Sequence, residues 1–330
     1  MTDGPAGRSM TQDPHLATPG SSGLITSVRP ATLREWDEAW DGYAAATDFQ
    51  SREWAEVWSA YTQGRLRPAA LHVTFACGET AVLPLSLRSS DDGQILVSSP
   101  AGTYGGWMSA DLLRPEHSAA MTDYMTAKLG NVYWQTNPFD PSLAVVSLPS
   151  TSPNETHVID LTQEWETIHD AWSSSCRRAE RKAQRAGIRV REAASEEDWR
   201  DYYAVYEDSL RRWGDRARFR TDWRLFEQLH YLRSANLRLW LATTSEGRVA
   251  AGAVMCYAGV HAVYWHGAAM ESLLPHRPMN LLFSVIIRET RKAGFQWFDF
   301  NPSGGIDGVR RFKEGFGATP LDCPIVSVGG

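Results

Sequence analysis

FQWFDFNPSGGIDGVRRFKEGFG, Phe295–Gly317, begins as an aromatic-rich run and breaks at Asn301-Pro302. Phe295 to Phe300 reads as a strand, which the Asn-Pro pair stops. Upstream, Leu282, Val285 and Ile286 form a helical stripe that ends at Gly294. Before it lie the loop GAAMESLLPHRPMN and the strand His261 to Gly267. Two more strands, Leu237 to Thr243 and Val249 to Tyr257, flank the turn Ser245-Glu246-Gly247. The same order occurs earlier in the chain. Ala69 to Ala76 and Thr80 to Leu87 flank Cys77-Gly78-Glu79, and Ile95 to Ser99 precedes the glycine-rich AGTYGGW, Ala101–Trp107. A helix around Glu116 to Leu129 then leads to Val132–Thr136, closed by Asn137-Pro138. From turn glycine to closing Asn the two stretches span 59 and 54 residues. The shared order predicts an internal structural duplication.

Length fits the duplication, since 330 residues exceed what one core usually holds. Trp36, Trp40 and Tyr43, then Trp54, Val57, Trp58 and Tyr61, give two further helical stripes, with Ser51 as the N-cap of the second. Trp199, Tyr202, Tyr203, Tyr206 and Leu210 mark another helix, and Trp223, Phe226 and Leu229 one more. No apolar run reaches the roughly 20 residues that span a bilayer. Residues 1–23, rich in Pro, Gly and Ser with no apolar stretch, read as a disordered tail, which predicts a cytoplasmic protein. Cys77, Cys176, Cys256 and Cys323 lack metal-ligand spacing, so a reduced compartment and no metal are expected. The net charge of −6 is uneven: residues 1–160 hold 9 Lys and Arg against 18 Asp and Glu, and residues 161–330 hold 24 against 21. Such a basic second half either binds a polyanion or simply presents solvated helix faces.

A hairpin-rich sheet whose helix returns to a parallel strand is the order of the GNAT acetyltransferases. FQSREWAEVW (Phe49–Trp58), AGTYGGW, SSSCRRAERKAQRAG (Ser173–Gly187) and FDFNPSGGIDGVRRFKEGFG (Phe298–Gly317) resemble the Fem-type aminoacyltransferases and are similar to BioF2-like acyltransferase domains. The resemblance runs from about Leu24 to the C-terminus, and the closing G-x-x-x-F-K-x-x-F-G is its most specific part. It implies a mixed α/β protein of two tandem GNAT-like domains, mixed sheets flanked by helices. Residues 24–160 would form the acceptor side and 161–330 the catalytic, donor side. The implied reaction moves an amino acid from aminoacyl-tRNA to the amine of a peptide-like acceptor, a cell-wall precursor or a peptide natural product. Aminoacyl-tRNA serves as co-substrate and no cofactor or DNA partner is implied. The long coiled-coil arm of some Fem enzymes is missing, because no heptad run extends past Gly187.

By residues alone, Lys313 is a surface lysine beside a core Phe312. The resemblance instead implies a cation facing the reaction, with Phe312 walling out water. Gly304, Gly305, Gly308, Gly315 and Gly317 either let backbone approach a ligand closely or mark an irregular crossing. Tyr264 and His266 alternate on one strand and are expected on one face; by its place in VYWHGAA, Tyr264 resembles the family's substrate-contacting tyrosine. Asp299 and Asn301 share a face of the next strand. His266 or Asp299 would take the amine's proton, unless the one is a hydrogen-bonded core histidine and the other pairs with an arginine. Arg211 and Arg212, before Trp213-Gly214-Asp215, resemble the arginine that grips an acceptor's phosphate or carboxylate. Tyr104, Gly105 and Gly106 form the counterpart loop of the first half and are expected to line the acceptor cleft. Trp58 stands where cell-wall members carry a lysine, so a nucleotide-linked muramyl acceptor would have one phosphate partner fewer.

Arg177, Arg178, Arg181, Lys182 and Arg185 lie between Ala179, Ala183 and Ala186, an alanine stripe that can pack while the cations face a tRNA backbone. The rival activity is CoA-dependent N-acyl transfer. It would use Leu274 to Asn280 as its pyrophosphate turn, yet that turn has no glycine and its prolines remove donors. A binding protein that kept the fold without the chemistry is the third reading.

Overall fold

The computed structural model describes residues 23–329 apart from 91, 92, 150, 218 and 219. The expected tail, Gly23 excepted, lies outside the described residues. The first half runs β1 (Ile25–Pro30), α1 (Leu33–Gly42), α2 (Arg52–Tyr61), β2 (Leu66–Pro68), β3 (Leu71–Phe75), β4 (Thr80–Leu83), β5 (Ser86–Ser90), β6 (Gly93–Val97), β7 (Tyr104–Gly105), α3 (Pro115–Asp123) and β8 (Val132–Thr136). Next come β9 (Thr151–Ser152), β10 (Glu155–Asp160), α4 (Trp165–Asp170), α5 (Ser174–Arg185), β11 (Arg189–Glu192), α6 (Glu196–Trp213) and α7 (Trp223–Leu232). The chain closes with β12 (Leu237–Thr243), β13 (Val249–Ala258), β14 (His261–Ala269), α8 (Pro278–Lys292), β15 (Trp297–Asp299), α9 (Asp307–Glu314), β16 (Thr319–Asp322) and β17 (Ile325–Val328).

The duplication is visible in strand order. One sheet runs β2-β5-β6-β8-β17-β9, the other β11-β12-β13-β14-β15-β10-β16. Setting aside β11, the two match strand for strand. In each, a parallel pair (β6 with β8, β14 with β15) encloses a helix and the other neighbours along these runs are antiparallel, while β7 adds a short parallel pairing to β8 in the first sheet. The Thr80–Leu87 strand of the sequence reading is broken at Pro84-Leu85. Its first part, β4, joins a small sheet β1-β3-β4, and its second, β5, enters the large sheet. Proline removes a ladder donor, so the hairpin bends there.

The halves exchange strands. The chain passes from β9 in the first sheet to β10 in the second, then from β16 in the second back to β17 in the first. A boundary between 160 and 161 therefore leaves β10 on the wrong side, and β17 pairs with β8 across nearly 200 residues. A shared core reinforces the exchange. Phe49, Trp54, Trp58 and Tyr104 from the first half pack with Tyr202, Tyr206, Phe226 and Val263 from the second. Burial of aromatics on this scale makes independent motion of the halves unfavourable.

Local signals explain the helices. Thr32 and Glu35 form a capping box on α1, and the Ser51 hydroxyl accepts the Trp54 N–H at the start of α2. In α5, Cys176, Glu180 and Ala183 are buried and pack on α8, with the Glu180 carboxylate bonded to His169 and to Ser284. The segment after Gly305 is an eight-residue helix, α9, whose apolar side carries Phe312 into the core. Among the described residues no helix is long and apolar enough to cross a membrane, and no cluster of His, Cys, Asp and Glu suits a metal ion.

Candidate active site

Asp299, the last residue of β15, points at the junction of the two halves and is fully buried. Tyr104 Oη, from the first half, donates to its Oδ2 at 2.8 Å. Thr156 Oγ1, from β10, and the Asn301 N–H, at 2.7 Å, both donate to Oδ1. Asn301 adopts φ of +60°, a left-handed conformation that asparagine tolerates better than most residues. That twist aims its N–H at Asp299 and leaves its carbonyl to accept a hydrogen bond from Lys313 Nζ. Lys313 is 2% exposed. Its burial comes from α9, which lies against β10 and turns the ammonium inward while Phe312 packs on Phe283 and Phe316.

Electrostatics follow from burial. Desolvation pushes the Asp299 carboxyl up to about 6, opposed by its bonds to Thr156, Tyr104 and Asn301 and by the Lys313 charge. Desolvation likewise lowers Lys313 to about 8, opposed by Asp299 and, more weakly, by Cys323 and Glu155. At pH 7 the site thus holds a buried ammonium and a buried carboxylate that attract each other through space. The Oδ1 of Asn301 and the Oγ of Ser303, both buried, have no hydrogen-bond partner there. Unsatisfied buried polar atoms beside a buried cation are what a polar ligand would engage.

Several expected residues occupy other places. Asp299 accepts three hydrogen bonds from the protein, which fix the orientation of its carboxyl group. His266 and Tyr264 do not share a face. The β13–β14 register shifts between Met255↔Tyr264 and Val254↔His266, and this bulge at Trp265 reverses the alternation. Tyr264 packs on Phe283 with its hydroxyl over Gly267, where a Cβ would come within 2.1 Å. His266 enters a cage of Tyr202, Tyr206 and Phe226, its Nδ1 2.6 Å from Tyr202 Oη, and desolvation lowers it to about 4. It is a half-buried histidine hydrogen-bonded to Tyr202. Gly105 does not line a cleft: a Cβ there would lie 2.3 Å from Ser98 Oγ. Gly305 lies exposed at φ of +74° beside a cavity of about 370 Å³ formed with Ser303, Arg310 and Glu155.

The arginines divide. Arg212 donates to the Ala269 carbonyl at 3.0 Å and to Ser209 Oγ at 3.2 Å, anchoring α6 to the end of β14. Arg211 is exposed and weakly paired with Asp208. On α5, Arg177 donates to the carbonyls of Asp170 and Trp172 at 2.7 Å each, closing the end of α4. Arg178, Arg181, Lys182 and Arg185 are exposed and have no carboxylate partner among the described residues. Trp58 is buried against Trp54, Tyr61 and Trp265. Thr156 escaped the sequence reading. The run Thr156-His157-Val158-Ile159 is β-branched enough to suggest a strand, but nothing local shows which sheet receives it.

The acetyltransferase (GNAT) domain profile matches residues 173–314, less than half of the chain. No curated protein matches the sequence. Among solved structures, FemX superposes with a TM-score of 0.67 at 13% identity, covering 92% of this chain and 98% of that one. The C-terminal domain of a putative lysylphosphatidylglycerol synthetase from Agrobacterium fabrum gives 0.57 at 12% identity, over 91% and 92% of the two chains. L-PGS from Bacillus licheniformis gives 0.55 at 12% identity, over 92% and 93%. The chain therefore carries a GNAT acetyltransferase domain in its second half and adopts, over its described length, the tandem GNAT-like fold of FemX.

Proposed function

We propose that this chain is an aminoacyltransferase that moves an amino acid from aminoacyl-tRNA to the amine of a peptide-like acceptor, a cell-wall precursor or a peptide natural product. The observation that carries the reading is the buried Lys313 ammonium, hydrogen-bonded to the Asn301 carbonyl and within the electrostatic reach of Asp299. The fold shared with FemX and with a synthetase of lysylphosphatidylglycerol supports it.

In the proposed reaction the acceptor amine attacks the ester carbonyl, a C–N bond forms and the C–O bond to ribose breaks. The amine's proton ends on the released ribose hydroxyl. Lys313 is protonated at pH 7 and stabilises the tetrahedral oxyanion or the departing oxygen, with Asp299 as a positioning residue that keeps it charged. Phe312 excludes water from that side. Tyr264 and Arg211 remain the proposed acceptor contacts, and Arg178, Arg181, Lys182 and Arg185 the proposed tRNA contacts. The reading needs no metal and no cofactor.

The acetyltransferase domain match keeps CoA-dependent acyl transfer as a second reading. Against it, α8 starts at Pro278, which has no N–H, and the Asn280 N–H is taken by the Arg277 carbonyl at 3.1 Å. Few amide donors are left for a pyrophosphate. The test offers labelled aminoacyl-tRNA and labelled acetyl-CoA in parallel to a pool of peptide amines. Label transfer abolished by RNase supports the proposal; RNase-insensitive transfer from acetyl-CoA overturns it.

A further inference from the structure

A second cavity, of about 1000 Å³, opens between the halves at the other end of β15 from Lys313. Its floor joins Phe139 of the first half to His261 and Trp297 of the second, with ring centroids 3.9 Å and 6.0 Å apart. Its size matches the pockets that take small molecules, roughly 300–1,000 Å³. Two of the large apolar side chains exposed on the described surface, Leu112 and Val145, stand at its rim.

Three observations define what would bind there. Asp111 and Asp140 are the charged residues among those lining it, and neither has an ion-pair partner among the described residues. Asp140 is buried, which raises its carboxyl pKa against the opposing hydrogen bonds of Ser142, whose N–H it accepts at 2.8 Å, and of Tyr43. His261 and Ser118, each more than nine-tenths buried, line the cavity with Nδ1 and Oγ unpartnered. Desolvation lowers His261 to about 4, so it is neutral at pH 7 and adds no positive charge. Apolar aromatic walls, acidic groups without a counter-ion and unsatisfied hydrogen-bonding atoms together specify an apolar ammonium compound.

We propose that this cavity is a binding site for a small aromatic or aliphatic amine, separate from the Lys313 site, with Asp140 as the counter-ion and Phe139 and Trp297 as the apolar walls. The site stands on its own geometry and does not depend on which acyl donor the enzyme uses. A ligand here touches both halves, so its occupancy should stabilise their association.

The test uses three probes with one ring system: naphthylmethylamine, naphthylmethanol and naphthoate, titrated into the full chain by calorimetry at pH 7. The amine is expected to bind at least about tenfold more tightly than the alcohol, and naphthoate more weakly than either. Asp140→Asn should erase the preference of amine over alcohol. Because Asp140 also caps the turn after it, Val145→Arg, an exposed change that puts a cation at the rim, provides the second variant and should weaken the amine alone. Lys313→Met should bind the amine like the wild type. Equal affinity for amine and naphthoate, or an amine preference that survives Asp140→Asn in a folded variant, overturns the proposal. So does the lack of any amine binding below millimolar concentration.

Discussion

Replacing Lys313 with methionine keeps the stem and removes the charge, and it separates catalysis from stability. The fall of the Lys313 pKa from its ordinary 10.5 to about 8 corresponds to a penalty of about 3 kcal/mol on the charged form in the fold. That figure is the upper limit of what Lys313→Met can return at pH 7. Removing the cation also deprives Asp299 of its attraction, so Asp299 rises above about 6 and takes up a proton. The expected gain in unfolding free energy is therefore about 1–3 kcal/mol, while turnover falls about 10²–10³-fold. The pH dependence gives the sign. Unfolded lysine holds its proton to 10.5 and the folded residue to about 8, so wild-type stability rises with pH across that interval. The variant should lack that rise. Urea denaturation between pH 7 and 10, beside a transfer assay, reads both effects. A variant that is less stable than the wild type at pH 7, or that keeps full turnover, refutes the reasoning.

Three further outcomes follow from named residues. Tyr104→Phe removes the donor to Asp299 Oδ2 and should cost about 1–3 kcal/mol in denaturant unfolding; it should also move the acidic limb of the pH–rate profile upward, since Asp299 loses a bond that lowers its pKa. Gly105→Ala forces a Cβ to within 2.7 Å of the Ser98 backbone and should cost about 1–3 kcal/mol by thermal unfolding, with no direct effect on ligand binding. Reversing Arg181 and Lys182 to Glu should leave stability within about 0.5 kcal/mol. It should weaken tRNA binding and reduce the slope of log affinity against log salt by about 0.9 for each phosphate that is no longer neutralised, measured by filter binding at several salt concentrations.

Much of the scaffold was legible because its signals are local. The turn at Ser245-Glu246-Gly247, the stop at Gly294 and the closing Asn-Pro pairs each act within a few residues, and they place β12, β13, α8 and β15 close to where they lie. The exchange of β10 and β17 was not legible. Pairing between residues near 135 and 325 leaves no trace in either segment's own pattern. His266 shows the same limit on a smaller scale: one bulged residue, Trp265, reverses a face that strict alternation assigns. At the site, the importance of Lys313 came from resemblance, and residue type alone made it a solvated lysine. Its burial depends on α9, a helix that glycines at 308 and 315 disguised as an irregular crossing. Asp299 was found but its three donors were not, because they come from β7, β10 and the Asn301 turn, which only the fold brings together.

In the proposed reaction an ester-linked amino acid becomes amide-linked, and alkali resistance measures that change directly. Charged tRNA carrying a labelled amino acid is incubated with the enzyme and a peptide amine, and the label that survives mild base is counted. Base-stable label is expected on the peptide, dependent on the enzyme, abolished when RNase is added first, and reduced about 10²–10³-fold by Lys313→Met. Label that stays base-labile in every sample, or base-stable label that forms only from acetyl-CoA, contradicts it.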